Sequence, residues 1–386
     1  MMLRIVVPQK EMQMKLTLRN KLYLFMRHLL SFDYILIFSL VALFIVNVFV
    51  QYSANDQVMT RLYSDVVFFG FSFILMMIIA SINTSRIRSM AIPLYIISII
   101  LIALVLVIGI RVNGARRWLN LGIRIQPSEL CKLSVPLLVA YVLSIKDNVL
   151  TYKNYLLGFV LIIIPFLLIA KQPDLGTGIL VFSAGFFVLF FAGLPWKIII
   201  SSVIAIVASS PLIWHLLKDY QKHRILTLLD PQSDPLGKGY HIIQGIIAIG
   251  SGGIYGKGYL HGSQVHLNFI PEKHTDFVIT VLAEEFGYIG IIAILTLYLL
   301  IAMRGLRIMR LAPDRFSQTL AGSITMSFIL YVLINMGMVS GIFPVVGVPL
   351  PLISYGGTAT IVIMIGFGIL LSIDHRNRYK DPFHYN

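Results

Sequence analysis

Residues 267–290 read LNFIPEKHTDFVITVLAEEFGYIG, and the reading of this stretch decides the architecture. Its first half, with Glu272, Lys273, His274 and Asp276, is too polar to lie in lipid. Its second half is apolar enough to enter a membrane, yet it holds Glu284 and Glu285. Asp276 stands at the junction. A carboxylate there is partly desolvated while its proton keeps a route to water, which is the setting a general base needs. Asp276 could equally cap the helix that follows, because HTD ahead of an apolar run is good capping chemistry, and capping does not exclude catalysis. Asp276, Thr280, Glu284 and Gly287 fall on one helical face. That face is expected to look into a polar groove inside a helix bundle, with Glu284 and Glu285 as partners of buried polar groups such as Asn335 or Lys132.

The chain on either side is of the same kind. Of its 386 residues 58% are hydrophobic and 12% charged, and a mean hydropathy of +0.86 excludes a soluble domain. Apolar runs of about 20 residues predict an all-α polytopic membrane protein. Ten transmembrane helices are expected, near 34–50, 66–82, 91–110, 130–145, 155–170, 177–192, 198–217, 276–301, 316–336 and 358–373. They make residues 34–373 one transmembrane domain. Residues 1–33 form a basic cytoplasmic segment and 374–386 a cytoplasmic tail. Residues 218–275 form a long extracytoplasmic loop between the seventh and eighth helices. Within that loop HIIQGIIAIG (241–250) is too short to cross and reads as a surface or re-entrant helix. MVSGIFPVVGVPLPLISYGG (338–357) holds three prolines and four glycines. It cannot be one regular helix, and irregular backbone at membrane depth is tolerated only against protein or a water-filled cavity. The single cysteine, Cys131, excludes an internal disulfide. No short apolar stretch near the N-terminus ends in a cleavage site, so no cleaved signal peptide is expected.

The net charge of +14 falls on both sides of the membrane. An even number of spans puts both termini on one side, and the positive-inside rule makes that side cytoplasmic. Many Lys and Arg then remain outside, where orientation gives them no role. An anionic ligand at the outer face does. RVNGARRWLNLGIRIQPSE (111–129) carries Arg111, Arg116, Arg117 and Arg124 beside Trp118. Ser128 reads as a helix cap and Glu129 complements the helix N-terminus. Lys132 lies one turn from Glu129 and could simply pair with it. An intramembrane lysine is nevertheless a functional candidate, and with the arginines it could bind phosphate or pyrophosphate. Each loop arginine taken singly reads more simply as a solvated charge.

Other motifs are weaker. KQPDLG (171–176) offers Lys171 to the same cation cluster and Asp174 as a turn residue or cap. The long loop adds Arg224, Asp230, Asp234, Lys238, His241 and Gln244. SGGIYGKG (251–258) brushes against the phosphate-loop pattern but fails it, with Ser251 at the first glycine and Gly258 for the hydroxyl residue. Its amides could still face an anion. His261, His266 and His274 with Glu272 and Asp276 match no compact zinc spacing. The expected arrangement is no firmly held cofactor, with a divalent cation (Mg or Mn) accompanying a substrate pyrophosphate.

One carboxylate, outer cations and apolar walls suit a particular economy. Glycoside hydrolysis uses two carboxyl groups, because a sugar leaving group must be protonated. A pyrophosphate leaves without protonation. Such a site needs one base to activate a hydroxyl and cations to take the developing charge.

The motifs GARRWLNLG, QPSELCKL, KQPDLGTG, DPLGKGY, IAIGSGG, HTDF, LAEEFG and VSGIFPVVGVPLPLISYGG occur in this order along nearly the whole chain. Together they resemble the SEDS family (shape, elongation, division and sporulation) of bacterial cell-wall polymerases, and its RodA branch more than its FtsW branch. Gly245 departs from the pattern, standing where a serine is expected after Gln244. The resemblance implies a peptidoglycan glycosyltransferase that polymerises lipid II on the outer face of the bacterial cytoplasmic membrane during elongation. The GlcNAc 4-hydroxyl would displace the strand's undecaprenyl pyrophosphate with inversion. Asp276 matches the family's essential aspartate, the general base. Trp118 and Lys132 match positions of its cavity. The candidate substrate-binding residues are Lys132, Trp118, Arg116, Arg117, Lys171, Arg224, Gln244, Glu272, His274 and Ser354. The implied partners are a class B penicillin-binding protein transpeptidase, lipid II and the undecaprenyl-pyrophosphate-linked glycan, with no nucleic acid. A flippase for the same precursor, or a scaffold that activates a transpeptidase, would share many of these features. Outer clustering of the cations with Asp276 favours the enzyme, and a scaffold leaves the intramembrane charges without a role.

Overall fold

The computed structural model describes residues 32–380, apart from 113–114, 121–123, 146–149, 235–236, 268 and 270–272. In chain order its helices are α1 (Tyr34–Ala54), α2 (Met59–Ala80), α3 (Thr84–Ser89), α4 (Ala91–Ile108), α5 (Pro127–Ser144), α6 (Tyr152–Lys171), α7 (Leu175–Phe191), α8 (Trp196–Ala208), α9 (Ser210–Leu216), α10 (Asp219–Leu229), α11 (Lys238–Ser251), α12 (Ser263–His266), α13 (Val278–Leu311), α14 (Arg315–Val339) and α15 (Gly357–Lys380). Eight of these are long and apolar enough to cross a membrane, and α7 and α8 are shorter apolar helices. The chain is therefore a multi-pass helical membrane protein. Each expected span falls on a helix, with shifted ends. The second starts at Met59 rather than Val66, the seventh is divided at Ser209 between α8 and α9, and the last runs to Lys380 rather than Ile373.

Aspartates fix several helix starts. Asp33 accepts from Leu36 N at 3.0 Å, Asp174 from Thr177 N at 3.3 Å, and Asp314 from Ser317 N at 2.9 Å. Asp174 is thus the cap its sequence context suggests. Ser128 is not a cap. Gln126 holds that position, and its Nε2 donates to Ser128 Oγ at 3.2 Å.

The centre of the bundle is α5, buried over most of its surface among α4, α7 and α14. Small residues let these helices approach. Ser98 and Ser134 share a hydrogen bond of 2.8 Å between α4 and α5, and Ser323 Oγ donates to Ala184 O at 2.6 Å between α14 and α7. On one side α2 lies along α15, and on another α1 lies along α13. None of the residues of α8 is buried against the described chain.

The stretch after α4 is more ordered than a plain loop. It forms a small antiparallel sheet of β1 (Ile110–Val112), β2 (Ala115–Asn120) and β3 (Arg124–Ile125), with Ile110 opposite Trp118 and Leu119 opposite Ile125. The sheet gives Arg116, Arg117 and Trp118 fixed places above the bundle.

Helix α13 is not continuous. Gly287 breaks it at φ 64° and ψ −159°. The backbone groups freed by such a break must find partners. The glycine-rich turn supplies them: Lys257 N donates to Glu284 O at 2.9 Å and Gly258 N to Glu285 O at 3.1 Å, while Gly253 O accepts from Tyr288 N at 2.9 Å. A Cβ at Gly287 would lie 2.6 Å from Ile254 O, so this close approach requires glycine. Two expectations change here. The amides of residues 257–258 do not face an anion, and Gly287 does not continue the face of Thr280 and Glu284.

Candidate active site

Asp276 lies just ahead of α13, whose cap position falls on Phe277 with no side-chain cap bond. The backbone around it is held from three directions. Asn335 Nδ2 on α14 donates to Asp276 O at 2.9 Å. Ser354 Oγ donates to Thr275 O at 2.5 Å, and Tyr355 N donates to His274 O at 3.0 Å. Gln51 Nε2 on α1 also donates to His274 O at 3.0 Å. Most of these anchors come from the irregular 340–356 segment or from the helices that support it. Asn47 Nδ2 and Gln51 Nε2 both donate to Ile353 O, at 2.7 and 2.8 Å, and Tyr298 Oη donates to Pro351 O at 2.7 Å. Unwound carbonyls at this depth are satisfied by side chains from α1, α13 and α14, as irregular intramembrane backbone requires.

The carboxylate faces the same segment. Gly347 has φ +75°, and a Cβ there would lie 3.3 Å from Asp276 Oδ2. On the other flank His241 of α11 stacks on Phe277 with ring centroids 5.9 Å apart. Arg224 of α10 is half-buried with its guanidinium 5.6 Å from the Tyr220 ring centroid. Burial and the neighbouring Arg117 guanidinium push the Arg224 pKa down, whereas Tyr220, Asp174 and Asp276 hold it up. Arg224 thus lies in the field of Arg117, Asp174 and Asp276, and Arg117 in turn lies beside Asp174. Arg117 Nη2 donates to Pro173 O at 2.7 Å and its Nε lies 3.7 Å from Asp174 Oδ2, which also accepts from Gln126 Nε2 at 3.1 Å. Asp174 is therefore both a cap and an anchor for Arg117, a second role that its turn motif does not announce.

Other candidates take various places. Lys132 pairs with Glu129, the local reading of that spacing, and stands 4.7 Å from the Tyr331 ring centroid. It lines a cavity of about 50 Å³ with Tyr331, Ser327 and Phe328. Tyr331 is within electrostatic reach of both Glu129 and Asp174, which sets this cavity beside those charges. Trp118 is half-buried on β2. Arg116 Nη1 donates to Leu106 O at 3.3 Å near the end of α4. Lys171 is exposed at the end of α6, and Gln244 is half-buried on α11. Glu272 lies outside the described residues. Among the described residues no three His, Cys, Asp or Glu side chains converge on a metal position.

Glu284 and Glu285 have other partners than Asn335 or Lys132. Glu284 is fully buried and accepts from Lys257 Nζ at 2.6 Å, Ser263 Oγ at 3.2 Å, Gln264 N at 2.9 Å and Val265 N at 3.1 Å. Glu285 accepts from Ser53 Oγ. Residues 257–265 thus fill the space in which a polar groove was expected. An apolar groove of about 410 Å³ runs instead between α1 and α13, lined by Val46, Phe49, Leu282, Phe286 and Gly290, with Tyr259 against it.

The profile of the FtsW, RodA and SpoVE family, described as cell cycle protein, matches residues 26–379. The chain is 48% identical to the peptidoglycan glycosyltransferase MrdB of Escherichia coli, over 90% of this chain and 94% of the relative. It is 35% identical to a probable peptidoglycan glycosyltransferase FtsW of Trichlorobacter lovleyi, over 89% of this chain and 93% of that protein. Its fold resembles a chain from a structure of a peptidoglycan synthase complex that coordinates polymerization and crosslinking. There the TM-score is 0.79 and the identity 33%, covering 91% of this chain and 99% of that one. It also resembles the crystal structure of the rod shape determining protein RodA of Thermus thermophilus, with TM-score 0.69 and 29% identity, covering 90% and 98%.

Proposed function

This chain belongs to the FtsW, RodA and SpoVE family of cell cycle proteins and is a peptidoglycan glycosyltransferase, and we propose that it polymerises lipid II with Asp276 as general base. The observation that carries the reading is the placement of Asp276. It stands where the extracytoplasmic loop meets α13, and its charge acts on Arg224, which also feels Arg117.

In this reading Asp276 takes the proton of the GlcNAc 4-hydroxyl of an incoming lipid II. The hydroxyl oxygen attacks the anomeric carbon of the strand's terminal MurNAc from the face opposite the pyrophosphate. A C–O bond forms to the GlcNAc and the C–O bond to undecaprenyl pyrophosphate breaks, with inversion. The leaving group departs with its electron pair and needs no proton, so a second carboxylic acid is not required. Arg224 and Arg117, with Lys132, receive the developing phosphate charge in a setting with little water, where fixed cations act most strongly. A divalent ion, Mg or Mn, would arrive on the pyrophosphate, whose oxygens supply much of its shell. Trp118, Arg116, Lys171, Gln244, Glu272, His274 and Ser354 complete the proposed substrate contacts. Ser354 is supported by its bond to Thr275 O, and His274 by its place in the same backbone, two residues before Asp276. The groove between α1 and α13 suits an isoprenoid tail, because it is apolar throughout and approaches the same end of α13.

We place the site on the outer face of the bacterial cytoplasmic membrane, with both termini inside, on the strength of the charge distribution. A class B penicillin-binding protein is the proposed partner. The likeness to a chain of a complex that joins polymerization to crosslinking supports that choice.

The test is polymerisation of purified lipid II by the full chain with its cognate penicillin-binding protein, comparing wild type and Asp276→Ala at matched folding. Glycan chains from the wild type and background from the variant are expected. Equal product would remove Asp276 as the base. No product from either, with the partner shown to be bound, would favour translocation of the precursor instead.

A further inference from the structure

Two buried oxygens next to the catalytic junction line one small cavity and lack partners. The cavity is about 10 Å³, room for a single water-sized body. Asp65 of α2 and Asn47 of α1 line it, together with Ser354, Thr360, Phe68 and Phe69. Asp65 Oδ2 and Asn47 Oδ1 are both buried, and neither accepts a hydrogen bond from the described residues. Asn47 is only 6% exposed, and its Nδ2 donates to Ile353 O, which leaves Oδ1 for the cavity. Ser354 Oγ accepts from Leu350 N at 2.7 Å and donates to Thr275 O, so one lone pair remains on it as well.

Among the described residues no Lys, Arg or His lines this cavity. A carboxylate at membrane depth either takes up a proton or needs a compensating charge. Water would bring protons but no charge. A divalent ion is poorly matched, since one carboxylate undercompensates it and the cavity has no space for the waters that magnesium retains. A monovalent cation fits both the single charge and the all-oxygen donor set. Unwound backbone beside transmembrane helices is also the setting in which membrane proteins hold sodium.

We propose that Asp65, Asn47 and the hydroxyls of Ser354 and Thr360 hold one dehydrated monovalent cation of the sodium class. The ion ties α1, α2 and the start of α15 together. Through Ser354 it steadies the backbone that carries Asp276. The catalytic consequence rests on the polymerase reading; the binding site does not.

The experiment uses the full chain in lipid nanodiscs. Equilibrium binding of radioactive sodium is measured for wild type, Asp65→Asn and Thr360→Val. Thermal unfolding is followed in sodium chloride and in N-methylglucamine chloride at equal ionic strength. The wild type is expected to bind one saturable sodium per chain and to unfold several degrees higher in sodium. Asp65→Asn supplies its own N–H donors, and is expected to bind none and to unfold alike in both salts. Thr360→Val is expected to bind more weakly with an unchanged midpoint in sodium-free buffer, which keeps the test alive if Asp65→Asn fails to fold. Absence of saturable binding by the wild type would overturn the proposal and leave a proton or a water in the cavity. Equal binding by Asp65→Asn would also overturn it, by placing the ion elsewhere. A further expectation is that polymerisation falls in N-methylglucamine chloride for the wild type alone. Loss of activity without sodium binding would not rescue the site.

Discussion

Asn335 Nδ2 donates to the backbone carbonyl of Asp276 at 2.9 Å and, at 2.7 Å, to that of Val348. One amide on α14 therefore sets the distance between the proposed base and the irregular segment that faces it. The backbone that carries the Asp276 side chain is thus held in part by a residue with no expected contact to substrate.

Replacing Asn335 with leucine removes both bonds and leaves two carbonyls without that donor. Each orphaned buried acceptor costs about 1–3 kcal/mol. Asn335→Leu should lower the unfolding midpoint and, in the protein that remains folded, reduce kcat while KM changes little. Steady-state polymerisation alongside thermal unfolding checks this. A normal kcat in the folded fraction would mean that Ser354 and Tyr355 suffice to place Asp276.

Gly347 permits a cleaner separation of stability from function. Its φ of +75° disfavours any side chain, and a Cβ would sit 3.3 Å from Asp276 Oδ2. Gly347→Ala should cost about 1–2 kcal/mol of backbone strain and also displace the carboxylate. Gly253 has φ +58° with nothing within 4 Å of its would-be Cβ. Gly253→Ala should carry the same strain and leave turnover intact. If both variants lose activity in proportion to stability, crowding of Asp276 is not the cause.

Glu284 is a fully buried carboxylate with four donors, all from residues 257–265. Glu284→Ala would strand the buried amide of Val265 and the part-buried amide of Gln264, a loss of about 1–3 kcal/mol for each buried donor left unpaired, and release the exposed Lys257. The expected phenotype is poor folding and release of the loop from α13, read as new protease sensitivity within 253–265. A variant that folds normally but makes no glycan would instead give Glu284 a part in the chemistry.

These contrasts show which features are written locally in the sequence. Hydropathy placed ten helices because each run buries or presents apolar side chains over its whole length. The HTD junction was legible because a carboxylate between a polar loop and an apolar run is unusual in itself. What escaped was tertiary. The partners of Glu284 are backbone amides some twenty residues away, and no periodicity announces a loop that inserts beside a helix. The break at Gly287 is hidden because a lone glycine inside an apolar run more often continues the helix than ends it. The sheet around Trp118 did carry a local signal. An Asn-Gly pair between short β-favouring runs is a hairpin signal in the sequence, one masked by the density of arginines around it. Asn47 and Gln51, four residues apart in the first span, were also legible as polar groups on one face that need partners.

The arginines around the proposed site should not be equivalent. Arg224 feels Asp276 and Asp174 directly, and Arg117 is fixed between Pro173 O and Asp174. Arg116 is tied to Leu106 O near the end of α4. If pyrophosphate binds beside Arg117 and Arg224, Arg224→Gln should raise the KM for lipid II about tenfold, the equivalent of losing one charge-assisted contact of about 1.4 kcal/mol. Arg224→Lys keeps the charge but not the planar fork, so it should recover only part of that loss. Arg116→Gln should change KM by no more than about twofold, because a guanidinium already tied to Leu106 O gives only a peripheral contact to substrate. Raising the salt concentration should weaken the wild type and the Arg116 variant in parallel, because both retain Arg117 and Arg224. Should Arg116→Gln prove as damaging as Arg224→Gln, the phosphate would lie nearer the sheet than the electrostatics of Arg224 indicate, and Trp118 rather than Asp174 would mark its edge.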